Sequence, residues 1–273
     1  MSVGHRLRFR GELCMGFGSV LSLAAFLLLI FVHVGNTNTT STPRKIAMAT
    51  VNVSAYGDAL AVGFAPDPIN GLYATNASLP LAQNQGIRDI YQWGLYSYCA
   101  YLTVNGTGPV SSANGTCSNS TAATPFLPYD QIVADMSSNW TMYTGSIITG
   151  TLFRDDSGLG SHTKDAYYCL IIGTVLLFVS LILGLFKRTF ALVFSSILAS
   201  VAAALVCAGA GLWAVAISQA RQINTLQLAV AGGQTPLGIT VDSGLGLTLT
   251  WAAFGCMTAA LIPYWISSCT YRG

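Results

Sequence analysis

Four stretches of this chain, Leu13 to Val34, Ala166 to Phe186, Phe190 to Ser218 and Leu245 to Ser268, contain no Asp, Glu, Lys or Arg. Each reaches the roughly 20 apolar residues that an α-helix needs to cross the hydrocarbon core of a bilayer. The overall composition agrees. Of 273 residues, 52% are hydrophobic and 8% charged, a balance that a soluble globule of this size could not keep solvated. The expected fold class is membrane α-helical, a four-transmembrane-helix bundle.

Basic residues near the span ends set the orientation. Arg6, Arg8 and Arg10 precede the first span, Lys187 and Arg188 form the turn between the second and third, and Arg272 follows the fourth. Both termini are therefore expected in the cytoplasm. The resulting order is a cytoplasmic stub (1–12), span 13–34, an outside segment (35–165), span 166–186, a cytoplasmic turn (187–189), span 190–218, a second outside segment (219–244), span 245–268 and a short tail (269–273). All seven Asn-x-Ser/Thr sequons fall in the first outside segment, which agrees independently. Asn38 stands close to the bilayer. Asn52, Asn76, Asn105, Asn114, Asn119 and Asn139 are the glycosylation candidates. A cleaved signal peptide is the rival reading of the first span; its 22 residues exceed the roughly 7 to 15 of a signal core. Cleavage would leave the outside segments outside.

The same composition narrows the chemistry. A net charge of +2 is too small to suggest nucleic acid, Glu12 is the only glutamate, and His5, His33 and His162 are scattered. No nucleophile motif, metal-ligand spacing or phosphate-binding glycine loop occurs, so neither enzyme activity nor a cofactor is expected. The spans carry no ionisable relay of the kind that transporters use.

In the first outside segment, Asn36 to Pro43 reads as a polar linker, with structure resuming near Lys45. Ala49 to Tyr56, the apolar patch Ala59 to Phe64 and the aromatic-rich Ile90 to Val104 read as strands of a small extracellular antiparallel β-sheet. Asn105 to Pro109 supplies a turn, and Tyr129 to Met136 a short helix. In the third span Ser195, Ala199, Ala203, Cys207 and Gly211 recur at spacing four, beside Ser196, Ser200, Ala204 and Ala208. Such faces let helices approach closely, within the bundle or in a homo-oligomer.

Of seven cysteines, Cys14, Cys169, Cys207, Cys256 and Cys269 lie in spans or at their ends. Cys99 and Cys117 alone lie outside, and they are the expected disulfide.

The run Trp93-Gly94-Leu95-Tyr96-Ser97-Tyr98-Cys99, with Cys117 beyond it, resembles the claudin superfamily pattern of Trp, Gly-Leu-Trp, Cys, Cys. Tyr96 replaces the second Trp. Trp93 directly precedes the glycine where claudins place their first Trp well upstream, so that residue's role does not carry over. The form Gly-Leu-aromatic-x-Tyr-Cys, followed by Pro125-Phe126-Leu127-Pro128, is closer to the fungal claudin-like family of PalI and the actin-cortical-patch (eisosome-compartment) membrane proteins.

That resemblance implies a claudin-like, multi-pass plasma-membrane protein that organises membrane domains, with roles in cell-wall integrity or ambient sensing. Its partners would be membrane lipids and other membrane proteins, such as a cortical scaffold. A mating-induced calcium-influx family is also similar through Gly94 and Cys99, with Ser97 replacing its second glycine, which implies an auxiliary role beside a channel subunit. Cell–cell adhesion or fusion is a third reading. The aromatic residues Tyr91, Trp93, Tyr96, Tyr98 and Tyr101 are expected to pack the outer sheet rather than bind a ligand.

Overall fold

The computed structural model describes residues 3–64, 69–103, 114–186, 189–230 and 233–270. Along the chain the elements are α1 (Val3–Val34), α2 (Ser41–Lys45), β1 (Ala49–Asn52), α3 (Tyr56–Gly63), β2 (Ile90–Trp93), β3 (Tyr98–Tyr101), β4 (Gly115–Cys117), α4 (Pro128–Asp135), α5 (Ser138–Ile147), α6 (Asp156–Gly184), α7 (Thr189–Ala220), β5 (Gln227–Val230), β6 (Gly233–Pro236), β7 (Thr240–Ser243) and α8 (Leu245–Thr270). They fall into two compact units.

The first unit, Met1–Phe31, Ala166–Gly211 and Thr248–Gly273, is helical. Among the described residues four helices are long and apolar enough to cross a membrane, over Gly16–Val34, Ser157–Gly184, Phe190–Thr225 and Leu245–Pro263. Their contacts follow from small residues. A Cβ on Gly173 of α6 would stand 3.0 Å from Val206 of α7, and one on Gly209 would stand 2.7 Å from Leu170 and 3.1 Å from the Ala166 carbonyl. Ser195 donates its hydroxyl to the Ser180 carbonyl at 2.8 Å, adding a polar link between the same two helices. Phe26 stacks on Phe178 with ring centroids 5.3 Å apart, joining α1 to α6. Gly18 lets α1 approach Pro263 of α8, and α8 continues through that proline. Val175, Phe178, Phe194, Ile197 and Val201 are exposed, as apolar side chains facing lipid should be.

The small-residue face of the third span is only partly the one expected. Ser195, Ser196, Ala199 and Ala203 are buried, but Cys207 and Gly211 are half-exposed and Ala204 and Ala208 exposed. A row at spacing four advances about 40° per step around a helix of 3.6 residues per turn, so it winds off the contact face. The buried line instead continues through Ala202, Val206 and Ala210.

The second unit, Val32–Asp165 and Leu212–Leu247, is built on an antiparallel sheet of order β4-β3-β2-β1-β7 among the described residues. Ala49 pairs with Trp93 on one side and Ser243 on the other, so both inter-span segments share one sheet. Gly244 and Gly246 donate their N–H groups to the carbonyls of Met48 and Ala47 at 2.9 and 2.7 Å. A Cβ on Gly244 would stand 2.1 Å from the Ala47 carbonyl oxygen, so no larger residue fits that crossing. A separate hairpin of β5 and β6 lays Leu228 and Val230 against Gly63 of α3.

Several expectations are corrected here. The first strand ends at Asn52, and Tyr56–Gly63 is a helix rather than strand. Its buried Tyr56, Ala59 and Leu60 recur at helical spacing, which outweighs the short apolar run. Ile90 to Val104 divides into β2, a turn and β3, with Val104 outside the described residues. Residues 36–43 are no linker: Asn36 is fully buried and Ser41–Lys45 is helical. α6 begins at Asp156, before the expected start at Ala166, because its first turns are polar and gave no apolar signal. The second inter-span segment contributes β5, β6 and β7, short strands that lack apolar alternation.

Candidate functional site

The run Trp93 to Cys99 forms the end of β2, a tight turn and the start of β3. The turn closes through the Gly94 N–H to the Ser97 carbonyl at 2.9 Å. Glycine is required there: a Cβ on Gly94 would stand 2.8 Å from the Gly35 carbonyl oxygen and 2.9 Å from Cβ of Asn36.

Asn36 is the counterpart of this turn. It follows the end of α1 with φ of +54°, a left-handed conformation that Asn tolerates after a helix. Its backbone N–H donates to Pro43, and its Nδ2 donates to the carbonyls of Gln92 at 2.7 Å and Ser97 at 3.4 Å. Ser97 returns a hydroxyl bond to the Asn36 carbonyl at 2.7 Å. His33, in the last turn of α1, hydrogen-bonds the Tyr96 hydroxyl through Nδ1 at 3.0 Å. Thus the motif turn is fastened to the segment that leaves the first span.

Inside the sheet, Tyr91 and Trp93 are two residues apart and share one face, both fully buried. Across the register from Trp93 lies Tyr98, with ring centroids 6.1 Å apart. Trp93 meets the edge of Phe126 at 5.1 Å, and Phe126 tilts against Trp213 at 5.9 Å. Leu95 is buried as well.

Buried phenol and indole groups need partners. α4 supplies both. Gln131 and Asp135 are four residues apart and so share one helix face. Trp93 donates its indole N–H to the Gln131 side-chain oxygen, and Tyr91 donates its hydroxyl to Asp135 at 2.7 Å. Asp135 also accepts the Ala82 N–H and lies 3.9 Å from the Arg88 guanidinium, which is itself fully buried. Arg88 donates to the carbonyls of Gly86 at 2.6 Å and Leu79 at 2.7 Å. Burial pushes the Asp135 carboxyl above the usual range, against the lowering effect of these donors. Burial likewise holds the Tyr91 hydroxyl well above its ordinary value, with the Asp135 charge adding to it.

Cys99 and Cys117 are direct partners across β3 and β4 and are joined by a disulfide, with Cα atoms 3.9 Å apart. The short separation is that of a pair not bonded through its own backbone groups. Cys169, Cys207 and Cys256, in the membrane-crossing helices, are half-buried.

The sequons divide by exposure. Asn76, Asn119 and Asn139 are exposed, Asn52 and Asn114 half-buried, and Asn105 lies outside the described residues. Asn52 and Asn76 each accept the N–H two residues on, from Ser54 and Ser78 at 2.9 Å. Among the described residues no group of three His, Cys, Asp or Glu could hold a metal ion.

The sequence motif therefore assembles as one buried scaffold. Missing from the sequence reading were Asn36, Arg88, Gln131 and Asp135, which hold that scaffold. The sequence carries a signal for them: isolated charged or amide residues in a segment poor in charge, with Gln131 and Asp135 at helical spacing and the strand residues Tyr91 and Trp93 bearing polar tips that need partners.

A family model described as the SUR7/PalI family matches residues 14–263. A comparison with curated proteins returned no match.

Proposed function

The chain belongs to the SUR7/PalI family, and from that membership we propose that it organises plasma-membrane domains at the cell cortex, without enzymatic activity, and serves cell-wall integrity or ambient sensing. The membership makes it a claudin-like, multi-pass membrane protein. The orientation belongs to the proposal: both termini face the cytoplasm, and the disulfide-braced sheet faces the wall. The observation that carries the reading is that the family motif, the disulfide and a strand from each inter-span segment belong to one five-stranded sheet, a platform for lateral contacts rather than a reaction site. Its partners are membrane lipids and other membrane proteins, a cortical scaffold first among them.

Two experiments test this. Membrane-impermeant labelling of single engineered cysteines in intact cells should reach positions in the sheet and fail beside Lys187; the reverse would overturn the orientation. Affinity purification of the full chain in mild detergent should recover cortical scaffold or other claudin-like proteins. Stoichiometric recovery of a channel subunit, or a deletion that left membrane domains, wall-stress tolerance and pH response unchanged, would overturn the functional reading.

A further inference from the structure

The five-stranded sheet has two edges, and they are treated differently. At β7, Asn224 accepts the Val241 N–H at 2.7 Å through Oδ1 and donates to the Val241 carbonyl at 3.1 Å through Nδ2. One carboxamide thus occupies both outward-facing backbone groups of Val241. Arg221 adds a bond to the same carbonyl at 3.3 Å and reaches Asp242 at 3.4 Å. An edge capped and charged in this way does not template a further chain.

β4 is the opposite edge. Leu102 donates to the Asn114 carbonyl at 2.9 Å and Ser118 to the Tyr98 carbonyl at 2.8 Å. By the alternation of an antiparallel ladder, the backbone groups of Gly115 and Cys117 point away from β3. Among the described residues no strand pairs with them. The usual guards are also foreclosed. A Cβ on Gly115 would stand 2.2 Å from the Tyr101 ring, so no charged side chain fits there. Cys117 is held by the disulfide, and the Thr116 hydroxyl is bonded to the Ala77 carbonyl at 2.6 Å.

The strand is bracketed instead by two Asn-x-Thr sequons, at Asn114 immediately before it and Asn119 just beyond it. We infer that Asn114 and Asn119 carry N-linked glycans that cover the β4 edge and keep it from pairing with the same edge of a second copy. The inference rests on the sheet facing outside, as proposed above. Since Thr116 is engaged in the folded sheet, transfer to Asn114 takes place on the nascent chain.

The test uses the full-length protein in its host membrane. Glycopeptide mass mapping should find glycans at both sites. Glycans at Asn76 or Asn139 with none at Asn114 and Asn119 overturn the inference and leave the outside reading standing. The same holds if no sequon is modified but an impermeant reagent labels Asn139→Cys in intact cells; no glycan and no label overturn both. The variant N114Q/N119Q should at least double in mass relative to wild type in mild detergent, whereas N114K/N119K, which restores charge at the edge, should keep the wild-type mass. An N114Q/N119Q protein with its disulfide formed and wild-type mass overturns the inference. Should that variant not fold, enzymatic deglycosylation of folded wild type gives the same readout, with unchanged mass the overturning result.

Discussion

Tyr91 donates its hydroxyl to Asp135 at 2.7 Å, joining the middle of β2 to the end of α4. The neighbouring pair, Trp93 and Gln131, repeats the contact one step along both elements. A strand's two-residue spacing of about 6.8 Å nearly matches a helix's four-residue rise of about 6 Å, so two polar tips meet two acceptors in register. The aromatic core of the sheet is thereby keyed to one placement of α4.

Removing one key should loosen that placement. Tyr91→Phe leaves a buried carboxylate short of a donor and should cost about 1.5 to 3 kcal/mol. Arg88→Met removes the buried countercharge and should cost more, about 3 to 5 kcal/mol. Thermal unfolding in detergent micelles reads both, and Arg88→Met should show the lower midpoint.

The disulfide closes a separation of 18 residues. Cys99→Ala with Cys117→Ala should cost about 3 kcal/mol by the chain-entropy account. Melting of the purified wild type with and without reductant should show a loss in the same direction, and equal midpoints would contradict it.

Gly94→Ala places a methyl group against the Gly35 carbonyl and Asn36. Overpacking of this kind costs about 1 to 3 kcal/mol. The effect should appear as faster hydrogen exchange at the amide of residue 94, whose N–H closes the turn onto the Ser97 carbonyl.

Within the membrane-crossing helices, Gly209→Val should push α7 from α6, since even a Cβ meets Leu170 at 2.7 Å. Gly211→Ala has nothing within 4 Å to strike and is the control. Cysteine crosslinking between α6 and α7 should fall in the first variant and persist in the second.

Burial sets the pH response of the sheet unit. It raises Tyr56, Tyr98 and Tyr101 from 10.0 to about 12. The folded state therefore holds protons that the unfolded state has released, and stability falls as pH rises between those values. Asp135 has the same sign in the carboxylate range: its contribution is full below the unfolded value of 3.8 and declines as pH rises through the raised folded value. Substituting Tyr56, Tyr98 or Tyr101 by Phe should remove tyrosinate absorbance from the part of the alkaline rise that coincides with loss of the fold.

The helical part of this architecture was legible because membrane crossing demands length and apolarity, and both can be counted along a chain. The disulfide is legible by elimination, Cys99 and Cys117 being the only cysteines in the segments between the spans. The sheet was less so. Tyr56–Gly63 carries enough apolar residues for either a strand or a short helix, and β7, Thr240–Ser243, is too polar to announce itself. Asn36 looked like linker because its importance lies in partners more than 50 positions away, Gln92 and Ser97. The burial of Tyr91, Trp93, Tyr98 and Tyr101 in the sheet follows from large aromatic area beside a cysteine pair, which the chain shows openly.

The pairing of β1 with β7 joins residues 49–52 to residues 240–243. During synthesis β1 emerges early, while its second neighbour is not made until the third span is complete. Until then β1 has a bare flank, although β2, β3 and the disulfide can already form on its other side. Completion of the five-stranded sheet therefore reports that the third span has been threaded with its far end on the same side as the far end of the first. A chain that inverted that span would leave β1 without β7, and the unpaired strand would be a ready mark for quality control.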